Sequence, residues 1–424
     1  MDLKRYFYKI YDNDGTYIKT QDDVVEKYPK FTMDMNGGVG SLIIRYARNW
    51  TDFYASTDLN LYNELRIIVD DDGGTQIYSG FISKVTLEKD DKGHEYVKAT
   101  FFGYVSEFPV RALEFTSGAN EGVTSLYYAS ETPEDILKDI IDKYDGKITY
   151  TASSVGVTGN TTTDLFNFNT IKDSIDQVIT RCPIGWYWYV DGENIINLKS
   201  TNREDVDHTL LVGRQINQIK MSHSMENVIN DVRLMGGTPD GEEQIYKKYK
   251  NSSSITEFGT RTFLKNDGRL YNNTSLDFVG KNLLGTHYSK EISIEFDIMD
   301  DHIDSELGYD IESVKVGDII QVRDPKHVTC FSRWDESNWD EDYWDYNKNQ
   351  FLAEPVIVEE INYYGTGIRV KASRSIAGIG FRLADVKRNL DNYLNRDLAI
   401  DPTAEEEILF TYDDDGNLVG TTQT

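Results

Sequence analysis

The chain has 424 residues, 39% of them hydrophobic and 27% charged, with 28 Tyr and only 8 Pro. That is long enough for several domains and too apolar for a disordered chain. A formal net charge of −28 excludes the basic footprint of a nucleic-acid binder. No apolar run is long enough to cross a bilayer, and two cysteines, Cys182 and Cys330, give neither a disulfide framework nor metal-site spacing. Synthesis in a reducing cytoplasm, with no leader and no membrane anchor, is the expectation.

Residues 1–113 read as strands. "RYFYKIYDNDGTYIKT" is two strand runs around an Asn-Asp-Gly turn, a hairpin signal. "GSLIIRYA" and the meander "NELRIIVDDDGGTQIYSGFISKVTLEKDDKGHEYVKATFFGY" follow, with Gly-containing turns. Helix signals are nearly absent, so this block is expected to be a first β-barrel or sandwich domain.

Residues 114–201 change character. In "TPEDILKDIIDKYDG" Thr132 is placed as N-cap, Pro133 at the first helical position, Glu134 and Asp135 at the positive dipole end, and Gly146 as the stop. "TIKDSIDQVITRC" puts Ile171, Ile175, Val178, Ile179 and Cys182 on one apolar face of a second helix. Cys182 therefore reads as a core thiol rather than a nucleophile. In "CPIGWYWYVDGENIINL" Trp186, Trp188 and Val190 share one strand face, and Tyr187 and Tyr189 the other. The pattern predicts an α+β domain whose aromatic strand packs on the two helices. A sugar or base platform is the alternative.

Residues 202–245 and 286–384 read as a second β-domain. "QINQIKMSHSMENVINDVRLMGG" is a long alternating stretch, and "KEISIEFDIMD" alternates strictly, with Ile292, Ile294, Phe296 and Ile298 on one face. "VKVGDIIQVRDP" and "EPVIVEEINYYGTGIRVKAS" give strand, turn, strand. A small inserted domain over residues 246–285 carries "SITEFGTR" and a short helix, "TSLDFVGKNLLG". The loop "CFSRWDESNWDEDYWDYN" sets Trp334, Trp339 and Trp344 among acids, a composition suited to partner contact or glycan binding. Residues 385–424 read as a C-terminal helix and tail; Val386, Leu390, Leu394 and Leu398 would make one stripe, a candidate grip on a neighbour.

The two β-blocks share a pattern. "ELRIIVD" parallels "GDIIQVRD", and "IYSGFISKVTLEKDDKGHEYVKATFFGY" parallels "PVIVEEINYYGTGIRVKAS". Each is a strand followed by a hairpin with Gly in its turn. The fold class expected is β-rich and multidomain (α+β), with two β-domains of one type flanking a smaller α+β domain with two helices.

In this order and spacing, four stretches resemble the baseplate hub of tailed bacteriophages, also found at the N-terminal end of tail-associated lysins and in contractile injection systems. They are "MNGGVGSLIIRYARNWTDF" with "LRIIVDDDGGTQIYSGFI"; "TPEDILKDIIDKY" with "NFNTIKDSIDQVITRCPIGWYWYVDGENIINL"; "MENVINDVRLMGG" with "SITEFGTR"; and "VKVGDIIQV". The resemblance spans residues 30–375. It implies two tail-tube-like β-domains per chain and a homotrimer. Three chains of two domains then make a pseudo-sixfold ring matching a hexameric tail tube to a trimeric spike. It implies as partners a distal tail or tail tube protein, the tape measure protein C-terminus, and a central fibre, spike or receptor-binding protein. DNA would pass through the lumen without specific binding, which an acidic wall permits. The expected location is the virion, at the tail tip. Unlike tail-associated lysins, the chain carries no recognisable peptidase or muramidase stretch after the hub-like region, so a non-enzymatic part is expected. The alternatives are a hexameric distal tail adaptor, a carbohydrate-binding receptor-recognition protein and a cell-wall hydrolase.

Catalytic, cofactor and metal residues are expected to be none. The six His, at 94, 208, 223, 287, 302 and 327, lack the spacing of a helical metal site. "DDDGG" near Asp70 and "DDDGN" near Asp413 lack the closing Glu of a calcium loop. "GGVG" after Asn36 opens no helix and is no phosphate loop.

Overall fold

The computed structural model describes residues 6–26, 28–70, 74–114, 125–167, 169–183, 185–201, 205–237, 244–266, 273–288, 291–300, 309–323, 355–373, 408–412 and 418–423. In it the N-terminal hairpin forms as its turn chemistry dictates. β1 (Tyr6–Tyr11) and β2 (Tyr17–Gln21) pair across a turn in which the Asp12 carboxylate accepts from the Thr16 N–H at 2.7 Å. β3 (Thr32–Asp34), β4 (Gly37–Gly38) and β5 (Ser41–Tyr46) follow, then a short helix α1 (Trp50–Tyr54) capped by Asn49. β6 (Glu64–Val69), β7 (Gln76–Lys89) and β8 (Glu95–Gly103) complete a six-stranded antiparallel sheet ordered β2-β1-β6-β7-β8-β5.

The next stretch holds β9 (Ser125–Glu131), α2 (Pro133–Tyr144), β10 (Thr162–Asn167), α3 (Ile171–Ile179), β11 (Trp186–Val190) and β12 (Ile196–Ser200). Thr132 and Thr170 cap the two helices, accepting from the Asp135 and Asp173 N–H groups. The helix ends differ from the pattern. Asp145 itself takes the left-handed conformation at φ 46°. Gly146 is needed for another reason: a Cβ there would lie 2.3 Å from the Tyr144 ring. α3 stops at Ile179, so Cys182 lies beyond it, yet stays buried with its thiol donating to the Val178 carbonyl.

β13 (His208–Leu211) and β14 (Ile216–Ser224) come next, then β15 (Asp231–Met235), β16 (Tyr246–Lys250), α4 (Ser252–Phe258), β17 (Thr262–Asn266) and α5 (Asn273–His287). β18 (Glu291–Met299), β19 (Ile319–Arg323), β20 (Val356–Tyr363) and β21 (Gly367–Ser373) follow. A second large sheet runs β13-β19-β20-β21-β18-β14, and β3 pairs with β20. Ile292, Ile294, Phe296 and Ile298 are all buried, as the strict alternation predicts. The alternating stretch before them is not one strand. It turns after Ser224, and β15 joins a separate sheet ordered β16-β15-β17. Asn230 pins that switch: its amide donates to the Gly259 carbonyl and accepts from the Arg261 N–H, both at 2.7 Å.

The two large sheets repeat one design. Spatial order β6-β7-β8-β5 in the first matches β19-β20-β21-β18 in the second, every neighbour antiparallel, with the last strand of the four, β5 or β18, first in sequence each time. The registers agree residue by residue. Leu42 faces Phe101 and Ile294 faces Ala372; Ile82 pairs with Phe101 and Val358 with Ala372. The inward residues of both sheets meet in a single apolar core, from Leu42, Ile44 and Leu65 to Ile294, Phe296 and Ile320. Burial of these side chains, at about 1.5–3 kcal/mol each, is the main term holding the sheets together.

The second of the chain's two compact units is described at two strands. There β22 (Ile408–Tyr412) and β23 (Leu418–Gln423) pair as an antiparallel hairpin, where the sequence suggests a hairpin or an extended tail.

Candidate assembly interface

The aromatic strand is not a platform. Trp188 and Val190 enter a second apolar core with Ile136, Ile140, Ile175 and Val178 of the two helices. Tyr187 and Tyr189 face the opposite way, into the core shared by the large sheets. β11 thus forms a wall between two cores, and Trp188 is fully buried. Alternation along the strand assigns the two faces correctly, but both are covered, which period-2 patterning does not reveal.

"GGVG" makes the joint on the first side. β4 pairs in parallel with β11, Gly37 opposite Tyr189 and Gly38 opposite Val190. A Cβ on Gly38 would lie 2.7 Å from Val105 and 2.9 Å from the Val190 carbonyl oxygen, so glycine lets the backbones approach. The turn between β11 and β12 docks through a polar relay. Asn194 donates to the Ser79 hydroxyl, which donates to Glu64, each at 2.9 Å, and Arg66 donates to Glu64 at 2.7 Å. Buried Glu107 joins the first sheet to α2 by accepting from the Tyr62 and Tyr144 hydroxyls, with Arg111 at 3.2 Å. These contacts fix the α+β layer against the sheet through polar groups that are paired.

What the repeat leaves outward differs between its copies. The outward rows Lys84–Thr100–Ile43 and Thr86–Lys98–Arg45 of the first sheet correspond to Glu360–Lys371–Glu295 and Asn362–Arg369–Asp297 of the second. Three positive charges in one copy stand against three negative and two positive in the other. Arg369 lies 2.8 Å from Asp297 and 3.5 Å from Glu295. Glu88 lies 3.8 Å from Arg45 and 3.4 Å from Lys98, and the first copy still keeps a positive excess where the second has a negative one.

No chemistry-bearing cluster emerges among the described residues. No group of three His, Cys, Asp or Glu there is arranged to hold a metal ion. Burial pushes the Cys182 thiol far up, which suits a core residue. His208 bridges the Tyr309 hydroxyl and Asp318, both at 2.9 Å, tying β13 to the turn before β19. No helix among the described residues is long and apolar enough to cross a membrane. Trp334, Trp339, Trp344, Val386, Leu390 and Leu394, the candidate contact residues, lie outside the described residues, as do Cys330 and Leu398. The outward rows were missed in the sequence; the signal for them was the hairpin pattern itself, read for its polar rather than its apolar positions.

No known protein family matches the sequence, and no curated protein matches it. Solved structures do. The prophage tail protein gp18 from Listeria monocytogenes EGD-e is similar at 9% identity and TM-score 0.55, over 91% of this chain and 99% of that one. The tail protein from Neisseria meningitidis MC58 is similar at 11% identity and TM-score 0.55, over 88% and 98%. The 43 kDa tail protein of prophage MuSo2 from Shewanella oneidensis gives 10% identity and TM-score 0.56, over 87% and 97%. At 9–11% identity these matches show a likeness of fold: the β-rich fold of this chain is similar to that of these phage tail proteins over most of both chains.

Proposed function

We propose that the chain is a structural hub at the distal end of a phage tail. It acts as a homotrimer whose two tail-tube-like domains per chain supply six positions of a ring. The observation that carries this reading is the repeat of one four-stranded design, in one register, within a single chain. Two equivalent units per chain let three chains meet a sixfold neighbour on one side and a threefold one on the other, within closed symmetry. A hexameric adaptor needs only one such unit per chain.

The sixfold side would meet a distal tail or tail tube protein, and the threefold side a central fibre, spike or receptor-binding protein, with the tape measure C-terminus above. A charge of −28 on each chain suits a lumen through which DNA slides without adhering. The role is one of scaffolding rather than catalysis. Light scattering after size exclusion tests the stoichiometry. One chain is 48.6 kDa, and the reading expects about 146 kDa, three chains. A six-chain mass would favour the adaptor and overturn the trimer.

A further inference from the structure

The small sheet β16-β15-β17 is covered on one side and open on the other. Tyr249 and Lys247 turn toward α5, where both meet Asp277 and a Cβ on Gly280 would strike the Tyr249 ring. Alternation sends the intervening residues to the other face. There Tyr246 stands opposite Met235, and Leu264 is opposite Arg233. These three apolar side chains are 51%, 39% and 70% exposed. Beside them stand Lys248 and Lys250, both exposed, and Arg233, held by the buried Asp231 at 2.9 Å. Desolvation, then the adjacent Lys250 and Arg233, holds the Lys248 ammonium below the usual lysine range. Three exposed apolar side chains on one sheet face, set among three cations of which Arg233 and Lys248 share the single Asp231 carboxylate, stand out on a chain whose net charge is −28.

We propose that this open sheet face is a docking surface for one acidic amphipathic helix of a partner protein. Its size selects such an occupant. Three five-residue strands present roughly 14 by 17 Å, about 240 Å², well short of the about 800 Å² per partner that a stable protein pair buries. A single helix lying across a sheet face matches that area, and it reproduces the layer that α5 already forms behind the sheet. Its leucine-like residues would cover Tyr246, Met235 and Leu264. Its carboxylates would meet Lys248, Lys250 and Arg233. A nucleic acid would need more positive charge than this rim offers and has no use for Leu264 and Met235.

The test uses the full chain and a fluorescein-labelled helical peptide of roughly fourteen residues, with leucines at i, i+3, i+4 and i+7 and glutamates and glutamines between. Fluorescence anisotropy is expected to show binding that weakens about tenfold or more in Leu264→Ser and in Lys248→Gln/Lys250→Gln. Lys92→Gln, in the exposed turn between β7 and β8, is expected to bind as the parent does. A counterpart peptide with lysines for glutamates is expected not to bind. Thermal unfolding of each variant separates lost binding from lost fold. No binding of the acidic peptide by the parent chain overturns the proposal. So does unchanged binding by both patch variants, or binding of labelled single-stranded DNA in preference to the peptide.

Discussion

Ser83 of β7 and Glu359 of β20 occupy the same place in two sheets. Each is the single residue skipped where its strand pairs with the next, between Ile82 and Lys84 in one and between Val358 and Glu360 in the other. A bulge kinks its strand and pins the register on either side. Deleting either residue shifts half the strand by one position and turns its apolar residues outward. Deletion of Ser83 or of Glu359 should abolish soluble expression or the cooperative melt, while Ser83→Ala, at an exposed site, stays within about 0.5 kcal/mol of the parent. Tolerance of either deletion would mean that the bulges do not set the registers.

Adjacent glycines give a sharper contrast. A Cβ on Gly38 collides with Val105 and Val190, whereas one on Gly37 finds its nearest neighbour at 3.5 Å. Gly38→Ala is expected to cost about 1–3 kcal/mol by forced overpacking. Gly37→Ala should cost clearly less. Chemical denaturation of the two variants side by side measures the difference, and equal costs would contradict the close joint between β4 and β11.

Asp34 stands directly opposite Glu360 in the pairing of β3 with β20. Asp34 keeps solvent contact, yet partial desolvation between the strands, then the Glu360 charge, pushes its carboxyl up from 3.8 to about 6, against the weaker pull of Lys371. A raised carboxyl pKa means that the folded state binds the extra proton between about 3.8 and 6. The ionised form therefore costs stability above that window, and the cost disappears below it. Asp34→Asn should melt higher than the parent at pH 7–8 and match it near pH 4. A lower melting temperature of the variant at pH 7–8 would sink this account.

The opposite sign holds at Asp58. Burial alone would raise its carboxyl, but hydrogen bonds from Arg48, Ser56 and Gln21 hold it well below the usual range. Its contribution is present above about pH 4 and is lost as acid protonates it. Arg48 is nearly as buried and reaches Asp58 and Asp23 at 2.8 Å. Asp58→Ala strands that guanidinium and is expected to cost about 3–5 kcal/mol. A cost below about 1 kcal/mol in urea unfolding would show that Asp23 and Gln21 suffice.

Local chemistry was legible in the sequence where the cause is local. The cap Thr132, the hairpin at Asp12 and the buried face of Ile292 to Ile298 follow from residues within one turn or one strand. The paired hairpins were legible too, because a strand pattern that recurs implies a sheet that recurs. What escaped depends on distant partners. Nothing near Asp231 says that β15 leaves the alternating stretch for β16 and β17, because Asn230 takes its instructions from Gly259 and Arg261. Nothing in "WYWYV" says that Tyr187 and Tyr189 face the core shared by the two large sheets, since that core is built from strands far apart in sequence. The charge contrast between Arg45 and Asp297 has meaning only once the two registers are superposed.

The central claim is that two equivalent sheets in each chain fill six positions with three copies. Electron-microscopy class averages of the purified assembly, viewed down its axis, test it most directly. The account predicts a closed ring of six similar lobes that obeys threefold but not sixfold symmetry. Three lobes, or six lobes built from six chains, would contradict it.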